Sequence, residues 1–444
     1  MKMGYKQMLA IMLAVFMIIA TGCSSSGGNN TAGAGNSGSV NNSGSGGSTN
    51  SDAKTDTAKP EKLTMIVDTT FAPFIEKIGA AFEKENGVKV QFITTDYNSL
   101  HDKIVTSLAG GNSNVDIVLV DTVWTSEFAK AGFVEPLTKY VGNNIKDQIV
   151  PISYDQRVVN NDLYAFPVSN EGKFLYYNEK MLKDGGYSAP PKTWDELVAM
   201  SKDLKAKGIA KYGIVWGWTQ AEGLICDYTL LVKSFGGKLQ DDKGNWVFNE
   251  GGALKALEFM VSSIKDKDFT DPSSTTLNDG TVLNAYAAGG IPFMMNWSFA
   301  VNALKDNKDI KLAYIPGVKD ASVSATVTGG GALGIAKTSK SKDWAWKLID
   351  FINQKRSDII VNDYIGSLPV WKDLVNNQEL LKKYPDLGMM TKQFDFAVSR
   401  PNIAGYSDWS HIMQVAITSA LVGKKTPKQA LDDAKKEIDA KTIK

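Results

Sequence analysis

The 444-residue chain is 43% hydrophobic and 22% charged, the balance of a globular protein. Its 49 Lys plus Arg stand against 48 Asp plus Glu, and the resulting net charge of +1 argues against a nucleic-acid partner. Two histidines, His101 and His411, and two cysteines, Cys23 and Cys226, poorly supply a Zn site, a Ser–His–Asp triad or a Cys–His pair. With no P-loop and no dinucleotide-binding glycine motif, neither a metal nor a cofactor is expected.

At the N-terminus, Lys2 and Lys6 precede the apolar run Leu9–Ala20. That run is too short to span a bilayer as a helix and has the length of a signal-peptide core. Ala20, Thr21 and Gly22 then lead into Cys23. Apolar run, small residues and cysteine together resemble a bacterial lipobox, although Ala20 stands where that pattern more often has Leu. The resemblance implies that residues 1–22 are removed and that Cys23 carries a diacylglyceryl thioether. An ordinary signal peptide with an incidental cysteine is the alternative. Residues 24–60 are dominated by Ser, Gly, Asn, Thr and Ala, with Val40 as the one large aliphatic. Such a segment cannot offset its ordering entropy by burial and is read as a flexible tether. A coil of that length reaches roughly 30–35 Å. With Cys23 lipidated, only Cys226 remains and no intramolecular disulfide is possible.

The rest of the chain exceeds the usual size of one domain, so two domains or lobes are expected. Leu63–Val67 reads as a strand, and Pro73–Lys84 as an amphipathic helix with Phe74, Ile75, Ile78 and Phe82 on one face. Gly87 stops it. Val88–Ile93, Leu100–Ala109, Val115–Val120 and Thr125–Ala131 continue as strand, helix, strand and helix. This βαβαβα order predicts parallel strands covered by helices, with ligand-site candidates just past their C-terminal ends: Asp68, Thr69 and Thr70, then Asp121, Thr122 and Trp124. A second block, residues 170–326, begins with the strand Phe174–Tyr177 and a Pro-Pro-Lys-Thr-Trp turn. A helix over Asp195–Lys207 follows, with Thr193 as its N-cap. Helices are expected at Ala221–Phe235 and Ala253–Lys265, strands at Ile291–Met295 and Leu312–Ile315, and a further helix at Lys342–Ile352. The fold class is α/β.

Six segments in this order carry a resemblance. They are AAFEKENGVKVQF from Ala80, NSNVDIVLVDTVWTSEFAKAGFVEPL from Asn112, and LYYNEKML from Leu175 followed by PPKTWDELVAMSKDL. GGIPFMMNWSFAVNAL from Gly289, GGGALGIAKTSKSKDWAWKLIDFI from Gly329 and RPNIAGYSDWSHIMQVAITSALVGKKTPKQALDDAKKEI from Arg400 complete the set. Together they resemble the family 1 extracellular solute-binding proteins of ABC sugar importers, over essentially all of residues 61–444. The resemblance implies a two-lobe, type II periplasmic-binding-protein fold with a ligand cleft at the hinge. Residues 61–169 and 328–378 would form the N-lobe, and 170–327 and 379–444 the C-lobe. It further implies a monomeric, lipid-anchored protein on the extracellular face of the membrane. Such a protein captures a sugar or short oligosaccharide and delivers it to ABC permease subunits, without being an enzyme.

A sugar presents C–H patches and hydroxyls, so its site needs flat rings beside dense donors and acceptors. Of the ten tryptophans, Trp344 and Trp346 read as core residues of an amphipathic helix, and Trp194 and Trp246 as packing residues. Trp124, past a strand's end, Trp216 and Trp218 around Gly217, and Trp297 are the ring candidates, with Phe299 as a rival to Trp297. Trp371 and Trp409 are further candidates. The resemblance places Glu171 in the cleft at a lobe crossing, where its carboxylate would accept sugar hydroxyls. Asp121 has the same logic, and Arg400 would donate from the far lobe. Gly330, within Gly329–Gly331, would let backbone approach a ligand or serve as a hinge. Thr69 and Thr70 stand where the maltose-binding member has charged residues, which puts maltose itself in doubt. Tyr176-Tyr177 raises ferric ion as another solute, and a secreted carbohydrate-active enzyme or a structural lipoprotein are the rival classes.

Overall fold

A computed structural model describes residues 58–111, 114–318, 324–356 and 366–443. Cys23 and the tether through residue 57 lie outside the described residues. Two β-sheets organise the body, and the chain passes between them repeatedly.

The first sheet has the strand order Lys89–Thr95, Lys62–Asp68, Ile117–Asp121, Gly331–Ile335, Phe166–Pro167. Its first three strands run parallel, as the alternating pattern predicts. Gly331–Ile335 departs from that expectation and pairs antiparallel with both neighbours. It enters directly from the other sheet without a crossover helix, so nothing turns it round to the parallel direction. Lys62–Asp68 is buried along nearly its whole length because helices cover both faces. The helix Ala72–Asn86 turns Phe74, Ile75, Ile78 and Phe82 into the core and ends at Gly87, whose φ of 64° only glycine adopts cheaply. Phe82 meets Phe351 of the helix Lys342–Gln354 edge to face at 5.4 Å. In that same helix Trp346 stacks on Tyr140 at 5.4 Å.

The second sheet is built around the long strand Glu171–Asn178. Thr326–Gly329, Phe293–Trp297 and Ile310–Ala313 pair with it antiparallel. Thr193 caps the helix Trp194–Ala206 by accepting the Glu196 N–H at 3.1 Å. The helix Glu222–Ser234 is buried on almost every side, because the Gly251–Lys265 and Tyr406–Leu421 helices pack around it.

Crossings between sheets are short. Phe166–Pro167 belongs to the first sheet, and four residues later Glu171 begins the second. The return crossing is one residue long: Gly330 separates a second-sheet strand from a first-sheet strand. Its φ is 118°, and a Cβ there would lie 2.2 Å from the Ser169 carbonyl oxygen, so only glycine fits. The buried Arg157 guanidinium donates to the Gly330 carbonyl at 2.7 Å and braces the crossing. Beside it, Asn170 and Leu368 exchange two backbone hydrogen bonds, at 3.2 and 2.7 Å. No helix among the described residues is long and apolar enough to cross a membrane.

Candidate functional site

A cavity of about 340 Å³ opens beside these crossings. From the first sheet side come Asp68, Thr70, Phe71, Tyr97, Asp121 and Trp124. From the second come Gly217, Glu222, Asp279, Trp297 and Phe299, with Glu171, Gly330 and Arg400 at the junction.

Two of the rings, Tyr97 and Trp297, are held by carboxylates. Tyr97 lies nearly parallel to Trp124 at 5.9 Å, and its hydroxyl donates to Asp121 Oδ2 at 3.0 Å. Trp297 donates its indole N–H to Asp279 Oδ2 at 3.0 Å and lies over Gly329, where a Cβ would come within 2.7 Å of the ring. Behind Trp297, the fully buried Lys173 ammonium is shared between Asp227 at 2.7 Å and Asp279 at 2.9 Å. Burial opposes the Lys173 charge, but the two carboxylates outweigh it and raise the ammonium above its ordinary value. Burial pushes the Asp227 carboxyl up to about 6 despite Lys173.

Arg400 is a further buried cation. It donates to Glu222 Oε1 at 2.6 Å, Asp121 Oδ1 at 3.2 Å and Thr122 Oγ1 at 3.0 Å. Glu222 is bound as well by the hydroxyls of Tyr406 and Ser410. Asp121 also accepts from Thr122 Oγ1 and the Val123 N–H.

Glu171 contrasts with these. The one hydrogen-bond partner of its carboxylate among the described residues is the Ser169 hydroxyl, at a long 3.5 Å. Burial, and then the nearby Asp68 and Asp121, push its carboxyl up to about 7. Asp68 caps its own turn through Oδ1, which accepts from the Thr70 N–H and hydroxyl and from the Phe71 N–H. Its Oδ2 has no partner among the described residues.

Of the sequence candidates, Thr70, Asp121, Trp124, Glu171, Trp297, Gly330 and Arg400 thus line one cavity. Five others are placed elsewhere. Trp216 and Trp218 are fully buried and stack on each other at 4.5 Å, their indoles donating to Thr270 and Asp227. They share one side of the chain, so Gly217 between them is the residue that meets the cavity. Trp409 is fully buried between Trp246 at 5.4 Å and Tyr406 at 5.6 Å, on the inward face of its helix. Trp371 packs on Phe166 and under the Arg356 guanidinium, 4.4 Å from its ring. Thr69 points to solvent while its N–H continues the ladder to Thr95.

Sequence reading missed Phe71, Tyr97, Glu222 and Asp279 as cavity residues. Only Phe71 had a usable signal, since it directly follows the strand-end residues Asp68 to Thr70. Glu222 and Asp279 meet partners that stand more than a hundred residues away in the chain. Among the described residues no group of three His, Cys, Asp or Glu is placed to hold a metal ion.

A family model described as bacterial extracellular solute-binding protein matches residues 68–357. A binding protein of Brucella abortus is 29% identical over 378 residues, covering 83% of this chain and 89% of that protein. An ABC transporter-binding protein of Deinococcus radiodurans is 29% identical over 403 residues, covering 85% of this chain and 93% of that one. The maltose-bound MalE3 of T. maritima superposes with a TM-score of 0.78 at 29% identity, over 85% of this chain and 99% of that one.

Proposed function

The chain belongs to the bacterial extracellular solute-binding proteins, and we propose that its solute is a sugar or short oligosaccharide, which it hands to the permease subunits of an ABC importer. The carrying observation is one cavity that sets the flat rings of Trp124, Trp297 and Phe299 beside an almost unpartnered carboxylate, Glu171. Rings cover the C–H faces of a sugar while a carboxylate accepts its hydroxyls. The similar structure of T. maritima MalE3, named as maltose-bound, supports the same class of ligand.

In this reading residues 61–169 with 328–378, and 170–327 with 379–444, act as two lobes that close on the ligand. Closure is a population shift, so the ligand must contact the closed state better than the open one. Thr70, Asp121, Trp124, Glu171, Trp297, Gly330 and Arg400 form the site. Binding without turnover is the activity. The carboxylate pair that a glycosidase reading would use across one bond, Glu171 and Asp121, lacks a free second member, since Asp121 is already held by Arg400, Tyr97, Thr122 and Val123. The protein works as a monomer, held at the outer face of the membrane by lipid on Cys23 and given reach by the tether.

A thermal-shift screen across neutral mono- and oligosaccharides tests the solute class. A true ligand at about a hundred times its Kd stabilises the fold by about 2.7 kcal/mol, a clear rise in Tm. A panel without any saturable shift at millimolar concentration overturns the sugar reading.

A further inference from the structure

Resting on the proposal that the cleft takes a sugar, we infer that the preferred sugar carries a protonated amine, and that Glu171 together with Asp68 forms the ammonium subsite. The two buried cations that pair with carboxylates are shared out: Lys173 lies between Asp227 and Asp279, and Arg400 between Asp121 and Glu222. Each group therefore holds one cation to two carboxylates and has no positive charge to spare. The third buried cation, Arg157, donates to the Gly330 carbonyl and does not line the cavity. What remains uncommitted is acidic. Glu171 has one long contact to Ser169, and Asp68 keeps Oδ2 free among the described residues although the residue itself is 6% exposed. The Ser169 hydroxyl, which accepts the Gly331 N–H at 2.9 Å, comes no closer to Glu171 than 3.5 Å.

The groups facing Glu171 are thus Asp68 and Asp121 from the ends of two neighbouring strands, both acidic, with Arg400 beyond Asp121 and committed to it. A neutral hydroxyl satisfies a carboxylate's lone pairs but leaves its charge uncompensated inside the cavity. An ammonium does both, through charge-assisted hydrogen bonds. The walls also suit a cation, since the Phe299 ring stands at the cavity, and ring faces attract ammonium groups. The same cavity repels anionic sugars, such as uronates and sugar phosphates, by like charge.

Isothermal titration of the full chain against matched pairs tests this: glucose with glucosamine, galactose with galactosamine, and cellobiose with its fully deacetylated diamino counterpart. At pH 7.5 the amine of the recognised skeleton is expected to bind roughly tenfold or more tightly than the neutral sugar. Glu171→Gln should bring the two members of that pair to within about twofold, with the variant's circular dichroism unchanged. Equal or tighter binding of the neutral member overturns the inference and leaves the sugar reading standing, as does an amine preference that survives in Glu171→Gln. A panel in which no member binds removes both.

Discussion

Arg400 and Asp121 meet across the cleft: Nη2 of Arg400, two residues past a second-sheet strand, lies 3.2 Å from Oδ1 of Asp121 at the end of a first-sheet strand. Arg400 is 4% exposed and also donates to Glu222 at 2.6 Å, so it is a buried tie between the halves.

Removing one partner of such a tie strands the other charges. Arg400→Met is expected to lower folding stability by about 3–5 kcal/mol, read as a drop in Tm. Adding Asp121→Asn should cost less than the two single changes summed, because both remove one interaction. Strict additivity would show that the tie contributes nothing.

Glu171 gives a pH prediction. Its carboxyl sits at about 7, against an ordinary 4.5, chiefly through burial and then through Asp68 and Asp121. The folded chain therefore holds this proton more tightly than the unfolded chain does. The group destabilises the fold fully above pH 7, and the penalty fades as pH falls from 7 towards 4.5. Glu171→Gln should raise stability at pH 8 by about 1–3 kcal/mol, the lower part of that range reflecting solvent in the cavity. The gain should shrink markedly at pH 5. Denaturant titrations at both pH values check this, and a gain that is larger at pH 5 would contradict it.

The tryptophans divide into two classes with opposite signatures. Trp297→Ala, at the cavity, should weaken sugar binding by about 2–4 kcal/mol, or roughly thirty- to a thousandfold, with the fold retained. Trp409→Ala, fully buried, should lower stability by about 3–5 kcal/mol and leave the affinity of the folded protein nearly unchanged. Titration calorimetry and thermal unfolding on both variants separate the classes. Reversed outcomes would reassign them.

Cys23→Ser tests the anchor. The variant should leave the membrane fraction while binding its ligand with unaltered affinity, because the cavity is lined by residues from Asp68 onward and Cys23 is not among them. Retention in the membrane pellet after a carbonate wash would remove the lipoprotein reading.

Much of this protein was legible before folding. The α/β class, the parallel strands at Leu63–Val67, Val88–Ile93 and Val115–Val120, the Gly87 stop and the Thr193 cap were all local signals. They are legible because periodicity, caps and breakers act within a few residues. The strand ends were also singled out in advance, and Asp121, Trp124 and Thr70 do line the cavity. Tertiary structure alone decided which side of each segment meets the cleft. Trp216 and Trp218 turn into the core and leave the bare Gly217 at the surface of the site. Trp409 is claimed by Trp246 from a distant hairpin. It alone decided, too, which charges are spent. Asp121, Glu222 and Asp279 are consumed by Arg400 and Lys173, whereas Glu171 is left nearly free. A residue's type states what it can bind. Whether that capacity is still open depends on partners a hundred or more positions away, which meet only in the folded chain.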